Sequence, residues 1–278
     1  CNSAMLGTIS QGEINQDGDA STVGQSSASG TGSCNAGVAS TNCDTPSTIG
    51  NMLNASVITN GYLYVIGGCT NNSCSTTSDD YAYTAISPTG VISRPAACTG
   101  GTYTNNIWCV NTTNVLASGV AASSPVVFSG RIYLVGGLTG SANTNRIDRA
   151  VINTDGSLGT WANQTMTAVD QGSPNALEAQ SYLFAYARAD PTSGADPGDL
   201  FIFGGCTSSS AAGCTNYSPD VHKCNIEAAG TIADCSTTGQ LQIGTLPGAT
   251  GDGLGLMSGT VYANHVYLIG GVGGNLTD

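Results

Sequence analysis

Charge is what this sequence has least of. Lys, Arg, Asp and Glu make up 9% of its 278 residues, and six basic residues stand against 18 acidic ones, a net charge of −12. That shortage of cations excludes the phosphate-neutralising surface that nucleic acid or an anionic membrane requires. Aromatics are sparse at 6%, and the two histidines, His222 and His265, leave little for imidazole-based chemistry. No apolar run reaches the length of a membrane-spanning helix, and no phosphate-cradling glycine loop opens a helix. The first residues lack the pattern of a secretory leader, so the numbering is expected to start after processing or partway into a chain.

What fills the chain instead is Gly, Ser, Thr and Asn around one recurring stretch. GYLYVIGG ends at Gly68, GRIYLVGG at Gly137, GDLFIFGG at Gly205 and NHVYLIGG at Gly271, at intervals of 69, 68 and 66 residues. Such regular spacing is the mark of a repeat architecture. Gly61, Gly130, Gly198 and Asn264 share a column of residues that tolerate positive φ, so a tight turn is expected before each copy. Four apolar columns follow, headed by Leu63, Ile132, Leu200 and Val266, and predict a strand covered on both faces. The column between turn and strand, Tyr62, Arg131, Asp199 and His265, is expected to face solvent.

Short β-type runs precede each turn, at Ala55 to Thr59, Pro125 to Phe128, Tyr182 to Tyr186 and Thr260 to Ala263. Each pair therefore reads as a hairpin, the third lengthened by an insertion over Arg188 to Pro197. Downstream lies a second signature, Ile-x3-Gly-x-Ile/Leu, at Ile86/Gly90/Ile92, Ile152/Gly156/Leu158 and Ile226/Gly230/Ile232, which reads as strand, glycine turn, strand. Each period thus holds about four strands, the content of one propeller blade.

A hairpin ending in a double glycine, followed by an outer hairpin with a turn glycine, resembles the kelch family of β-propellers over most of the chain. The period here exceeds the roughly 50 residues usual in that family, and Trp161 alone stands near the family's outer-strand tryptophan. The resemblance implies an all-β propeller of four kelch-like blades. Ring closure is expected from the head of the chain, because Ile9, Gly12 and Ile14 nearly repeat the outer signature that the fourth copy lacks. Residues 1–16 would then complete the last blade, and the competing expectation is a fragment of a larger propeller. Residues 17–50, rich in Ser, Gly and Thr, are expected to form a long surface loop. Asn15, Asp17 and Asp19 alternate like the first half of a calcium loop, but Ala20 and Ser26 stand where Gly and Glu are required, so calcium is a weak candidate.

Ten of the eleven cysteines fall into close pairs: Cys34 with Cys43, Cys69 with Cys74, Cys98 with Cys109, Cys206 with Cys214, and Cys224 with Cys235. Cys69 and Cys206 both follow a glycine doublet, and equivalent loops stapled alike point to disulfides and an oxidising, extracellular or cell-surface location. Zinc would need C-x2-C clusters with more histidine. Cys1 is left over, to be free, lipid-bearing or bonded upstream.

Catalytic readings fit poorly. A copper oxidase of the galactose-oxidase type needs convergent histidines and tyrosines, and the sialidase-like stretch Asn153 to Trp161 misplaces its glycine after Asp155. Asp79 and Asp80 are adjacent, which would aim them to opposite faces of a strand. No catalytic residue is expected.

Loops after the doublets would all leave a propeller on one face. They carry Asn71, Asn72, Asp79, Asp80, Tyr81, Asn143, Asn145, Arg146, Asn216, Tyr217 and Asp220, residue types suited to a glycan or a protein surface. Recognition or adhesion is therefore the expected function. The alternatives are a structural subunit that self-associates in a surface layer or filament and, less so, a secreted propeller enzyme.

Overall fold

A computed structural model describes residues 10–11, 24–29, 33–36, 49–50, 52–104, 107–165, 179–190, 197–210, 213–233 and 253–273. The secondary structure there is all β, in antiparallel sheets. The first repeat contributes β1 (Ser10–Gln11), β2 (Gly24–Ser29), β3 (Ser33–Ala36), β4 (Ala55–Thr59), β5 (Tyr62–Ile66), β6 (Tyr81–Ile86), β7 (Ile92–Ser93), β8 (Thr102–Thr104) and β9 (Trp108–Asn111). They form one sheet in the order β1-β2-β3-β7-β6-β5-β4, with β9 on β6 and β8 on β9.

In the second repeat, β10 (Ser124–Phe128), β11 (Arg131–Val135), β14 (Arg146–Val151) and β15 (Ala162–Thr165) form a four-stranded sheet. Its β12 (Leu138–Thr139) and β13 (Ala142–Asn143) pair separately. The third repeat has β16 (Phe184–Ala189), β17 (Gly198–Phe203) and β20 (Val221–Ile226) in one sheet, with β18 (Cys206–Ser210) paired to β19 (Gly213–Tyr217). The fourth has β21 (Ser258–Tyr262) and β22 (His265–Ile269).

The local chemistry of the turns explains the hairpins. Asn60-Gly61, Ser129-Gly130 and Ala263-Asn264 all have positive φ at both central positions, the two-residue turn whose twist matches paired strands. Gly198 departs from this column: it lies inside β17, where a Cβ would fall 2.3 Å from the Phe128 ring. β16 and β17 stay paired out to Ala189 and Gly198, residues 191–196 lie outside the described residues, and glycine is required at 198 for close packing. Each outer signature closes as expected, with Gly90, Gly156 and Gly230 donating to the carbonyls of Ser87, Asn153 and Glu227.

Strand alternation sends every second side chain of the middle strand toward the following repeat. Tyr64 and Ile66 pack with Ile132 and Leu134 of the second repeat, together with Leu158 and Trp161. Tyr133 and Val135 pack with Leu200 and Ile202 of the third. Burying each such side chain stabilises the stack by about 1.5–3 kcal/mol. The first strands of the four hairpins follow one another in the same order, β4 against β10, β10 against β16, and β16 against β21.

A second set of bonds repeats along this series. Leu53, Ala122, Tyr182 and Leu256 all adopt positive φ, two residues before their hairpins. Ala122 N–H donates to Leu53, Tyr182 N–H to Ala122, and Leu256 N–H to Tyr182, at 2.7, 3.0 and 3.1 Å. The outer glycine of each doublet reaches forward as well: Gly68, Gly137 and Gly205 donate to Val120, Gln180 and Leu254, each at 2.7 Å. A Cβ on Gly67 would sit 2.2 Å from the Val120 carbonyl oxygen, so the doublet leaves no room for a side chain.

Some expectations fail against this architecture. Residues 17–50 are not one loop, because β2 and β3 form a hairpin and β3 pairs with β7. Of residues 1–16, expected to complete the last repeat, only Ser10–Gln11 lie within the described residues; they form β1, which pairs with β2 in the first repeat's sheet, and among the described residues β22 pairs with β21 alone. Nor does the column of Tyr62, Arg131, Asp199 and His265 uniformly face solvent. Asp199 is buried and ion-paired to Lys223 at 3.0 Å and Arg188 at 3.4 Å, because β16 and β20 flank it.

Candidate functional site

The loops after the first three doublets are built by short disulfides and small hairpins. Cys69 bonds to Cys74 and Cys206 to Cys214, each immediately after its doublet, while Cys98–Cys109 ties the connection between β7 and β8 to β9. Cys224 is disulfide-bonded as well. The side chains of Cys34, Cys43 and Cys235 lie outside the described residues, as do Asn15, Asp17 and Asp19 of the calcium candidate. In the second repeat, where no cysteine stands, β12 and β13 do the same work by backbone pairing.

These loops are joined into a row. Gly140 N–H donates to Thr77 Oγ1 at 3.3 Å, linking the first loop to the second. Asn143 Nδ2 donates to the Cys206 carbonyl at 2.8 Å and Ser181 Oγ donates to Asn143 Oδ1 at 2.9 Å, linking the second to the third. The Cys69–Cys74 loop is further held by Asn71, whose Oδ1 accepts from Ser75 N–H and whose Nδ2 donates to Ser75 Oγ. The row exposes Asn72, Ser73, Ser75, Thr76, Asp79 and Asn216, with Tyr217, Asp220 and Asn145 half-buried.

Two of the residues expected here belong elsewhere. Tyr81 is fully buried on β6, where its hydroxyl accepts from Asn111 and from Leu158 N–H, and its ring meets Trp161 edge-on. Arg146 is buried on β14, with Nε 2.7 Å from Asp148 and its guanidinium on Ser118. Both are buried among neighbouring strands and loops, not displayed on the loop row. Asp79 and Asp80 sit in the approach to β6, not on a strand, and burial with the Asp79 charge raises the Asp80 carboxyl above its ordinary range.

No group of three or more His, Cys, Asp or Glu side chains converges among the described residues. His222 is buried on β20 with both ring nitrogens lacking a hydrogen bond, and desolvation holds its pKa below the usual imidazole range. His265 is exposed at the last hairpin turn and contacts the Ala263 carbonyl.

Sequence reasoning missed a cleft of about 420 Å³ between the third and fourth hairpins. Tyr186, Phe201 and Phe203 line one wall and Val261, Val266 and Leu268 the other. It also missed the positive-φ series from Leu53 to Leu256. Counting back from the first strand of each hairpin would have aligned those residues, but their side chains share no chemistry to draw the eye.

No protein-family model matches the chain, and no curated protein does. Among solved structures, the one titled "Structure of YjhT" is similar at TM-score 0.50 and 13% sequence identity, over 96% of this chain and 75% of that one. The likeness is one of fold.

Proposed function

We propose that this chain folds as a kelch-like β-propeller and acts outside the cytoplasm as a recognition or adhesion module. Its stapled loops would present amide, hydroxyl and aromatic groups to a carbohydrate or protein surface. The observation that carries the reading is the row of loops cross-linked by Thr77–Gly140 and Asn143–Cys206, which holds exposed Asn, Ser and Thr side chains on a rigid frame. Rigid presentation lowers the ordering cost of binding. The repeated forward contacts between successive hairpins support the propeller reading, since one fixed step copied several times generates rotation about an axis. The disulfides support an oxidising location.

A glycan array probed with the intact chain tests the recognition reading. Binding that is lost in Asn72→Ala and Asn216→Ala supports it, whereas blank arrays together with failure to retain any cell-surface protein count against it. A second reading, a subunit of a surface assembly, is favoured by the exposed apolar side chains Tyr262, Val266 and Ile269. Sedimentation separates the two: ordered oligomers point to the assembly, and a monomer that binds ligand points to recognition.

A further inference from the structure

Four of the chain's 11 tyrosines stand on one face of two neighbouring strands, Tyr62 and Tyr64 on β5 and Tyr81 and Tyr83 on β6. Ring centroids lie 6.3 Å apart for Trp161 and Tyr81, 6.3 Å for Tyr81 and Tyr83, and 5.9 Å for Tyr83 and Tyr62, with Tyr64 5.9 Å from Tyr83. At those separations the ring edges touch. An unbroken aromatic path therefore runs from Trp161 through Tyr81 and Tyr83 to Tyr62. Its inner rings are fully buried, in the cluster that also holds Cys109 of the Cys98–Cys109 disulfide.

Packing alone does not require these side chains. In the columns of Tyr62, Tyr81 and Tyr83, the second repeat has Arg131, Ile147 and Arg149, and the third has Asp199, Val221 and Lys223. The same strands thus form with aliphatic and charged residues there, and the aromatic run belongs to the first repeat.

Two further features bear on charge. Asp155 accepts from Ser157 Oγ and from Thr99 Oγ1, each at 2.6 Å, and these bonds hold its carboxyl below the ordinary range. It stays a carboxylate, and its charge adds to the desolvation that raises the hydroxyls of Tyr64, Tyr81 and Tyr83. A fixed anion there lowers the energy of a positive charge placed on the rings. The second feature is where a proton can leave. Tyr64 and Tyr83 donate to the carbonyls of Gly156 and Ala97, which are not bases, and the Tyr81 oxygen accepts from Asn111 and Leu158 N–H. Tyr62 is half-buried, and its hydroxyl has no hydrogen-bond partner among the described residues.

We propose that the first repeat is a one-electron relay, in which a hole formed at Trp161 passes through Tyr81 and Tyr83 and comes to rest as a radical on Tyr62. The co-reactant is a small radical oxidant of the azide or carbonate-radical class. It takes one electron from the Trp161 indole and leaves as the anion. That electron is replaced from Tyr62 through Tyr83 and Tyr81, and the Tyr62 O–H bond breaks, its proton going to water. The products are the anion, a hydrated proton and one neutral phenoxyl radical. The relay draws oxidation out of the buried cluster to a ring at its margin, and it does not depend on the loop-row ligand proposed above.

Pulse radiolysis of the intact chain with azide radicals tests it, with a nitroso spin trap and peptide mass spectrometry to locate the final radical. The expected result is indolyl absorption that decays as phenoxyl absorption grows, at a rate independent of protein concentration, with the trap on Tyr62. Trp161→Phe should remove this phase. Tyr81→Phe and Tyr83→Phe keep a ring in place but cannot be oxidised, and each should slow the transfer about tenfold or more. Tyr133→Phe, which alters a buried tyrosine off the path, should leave it unchanged. Equal rates in the native chain, Tyr81→Phe and Tyr83→Phe overturn the proposal. So does a rate that rises with protein concentration, a transfer that survives Trp161→Phe, or a trap spread over the other tyrosines.

Discussion

Tyr64 and Gly156 stand 92 residues apart in the chain, and the hydroxyl of one donates to the carbonyl of the other at 2.9 Å across the seam between the first two repeats. Desolvation raises the Tyr64 pKa, so the hydroxyl stays a proton donor throughout the physiological range. Tyr64→Phe removes the donor and leaves a buried carbonyl unpaired, at a cost of about 1–3 kcal/mol. Tyr133→Phe should cost a similar amount through Gly230, and the two losses should add, because the seams are separate. Denaturant unfolding of the single and double variants checks this.

Glycine at 156 answers two demands that can be separated. Its φ is +83°, and a Cβ would lie 2.5 Å from the Tyr62 ring, whereas Gly130 has φ +71° with nothing within 4 Å. Gly130→Ala should therefore cost only the left-handed conformation, about 1–2 kcal/mol. Gly156→Ala should cost at least 1 kcal/mol more by adding overpacking. Equal losses in thermal unfolding would show that the ring simply moves aside.

The pair of Arg146 and Asp148 is buried, and desolvation raises the Asp148 carboxyl despite the guanidinium beside it. Arg146→Ala strands that carboxylate and should destabilise by about 3–5 kcal/mol. Replacing both residues by apolar ones, Arg146→Met with Asp148→Leu, should recover most of the loss. Chemical denaturation of the two variants distinguishes this structural role from the ligand-binding role its place in the sequence suggests.

His222 predicts a pH dependence of definite sign. Burial depresses its folded pKa, so below the ordinary imidazole value the unfolded chain binds a proton that the folded chain refuses. Stability attributable to this residue is intact above roughly pH 6.5 and falls by up to about 1.4 kcal/mol per pH unit below it, until the folded pKa is reached. His222→Phe should flatten that part of the profile. Comparing unfolding free energies at pH 7 and pH 5.5 checks it, and an unchanged slope would rule His222 out as the source.

The hairpins were legible because their signals are local. Asn60-Gly61 and Ser129-Gly130 announce two-residue turns, and four apolar columns announce the middle strands, which are mostly buried in the first three repeats and largely exposed in β22. Cys69–Cys74 and Cys206–Cys214 could be paired from spacing, since a short loop leaves few partners within reach. The loop residues were less legible. Tyr81 and Arg146 look like exposed recognition groups in the sequence, yet they begin strands and turn inward, because strand alternation is set by the register with β5 and β11.

By itself the sequence determined the all-β class, the phase of the repeats and the outer bends at Gly90, Gly156 and Gly230, since these follow from φ preference and side-chain period. Only the tertiary structure decided that β1 joins the first repeat's sheet, that Asp199 is buried between Lys223 and Arg188, and that the side chains of β22 are largely exposed. Those outcomes depend on which strand edge reaches which partner through space. Hydrogen bonding between distant segments is set by the packing of whole repeats, and no local preference encodes it.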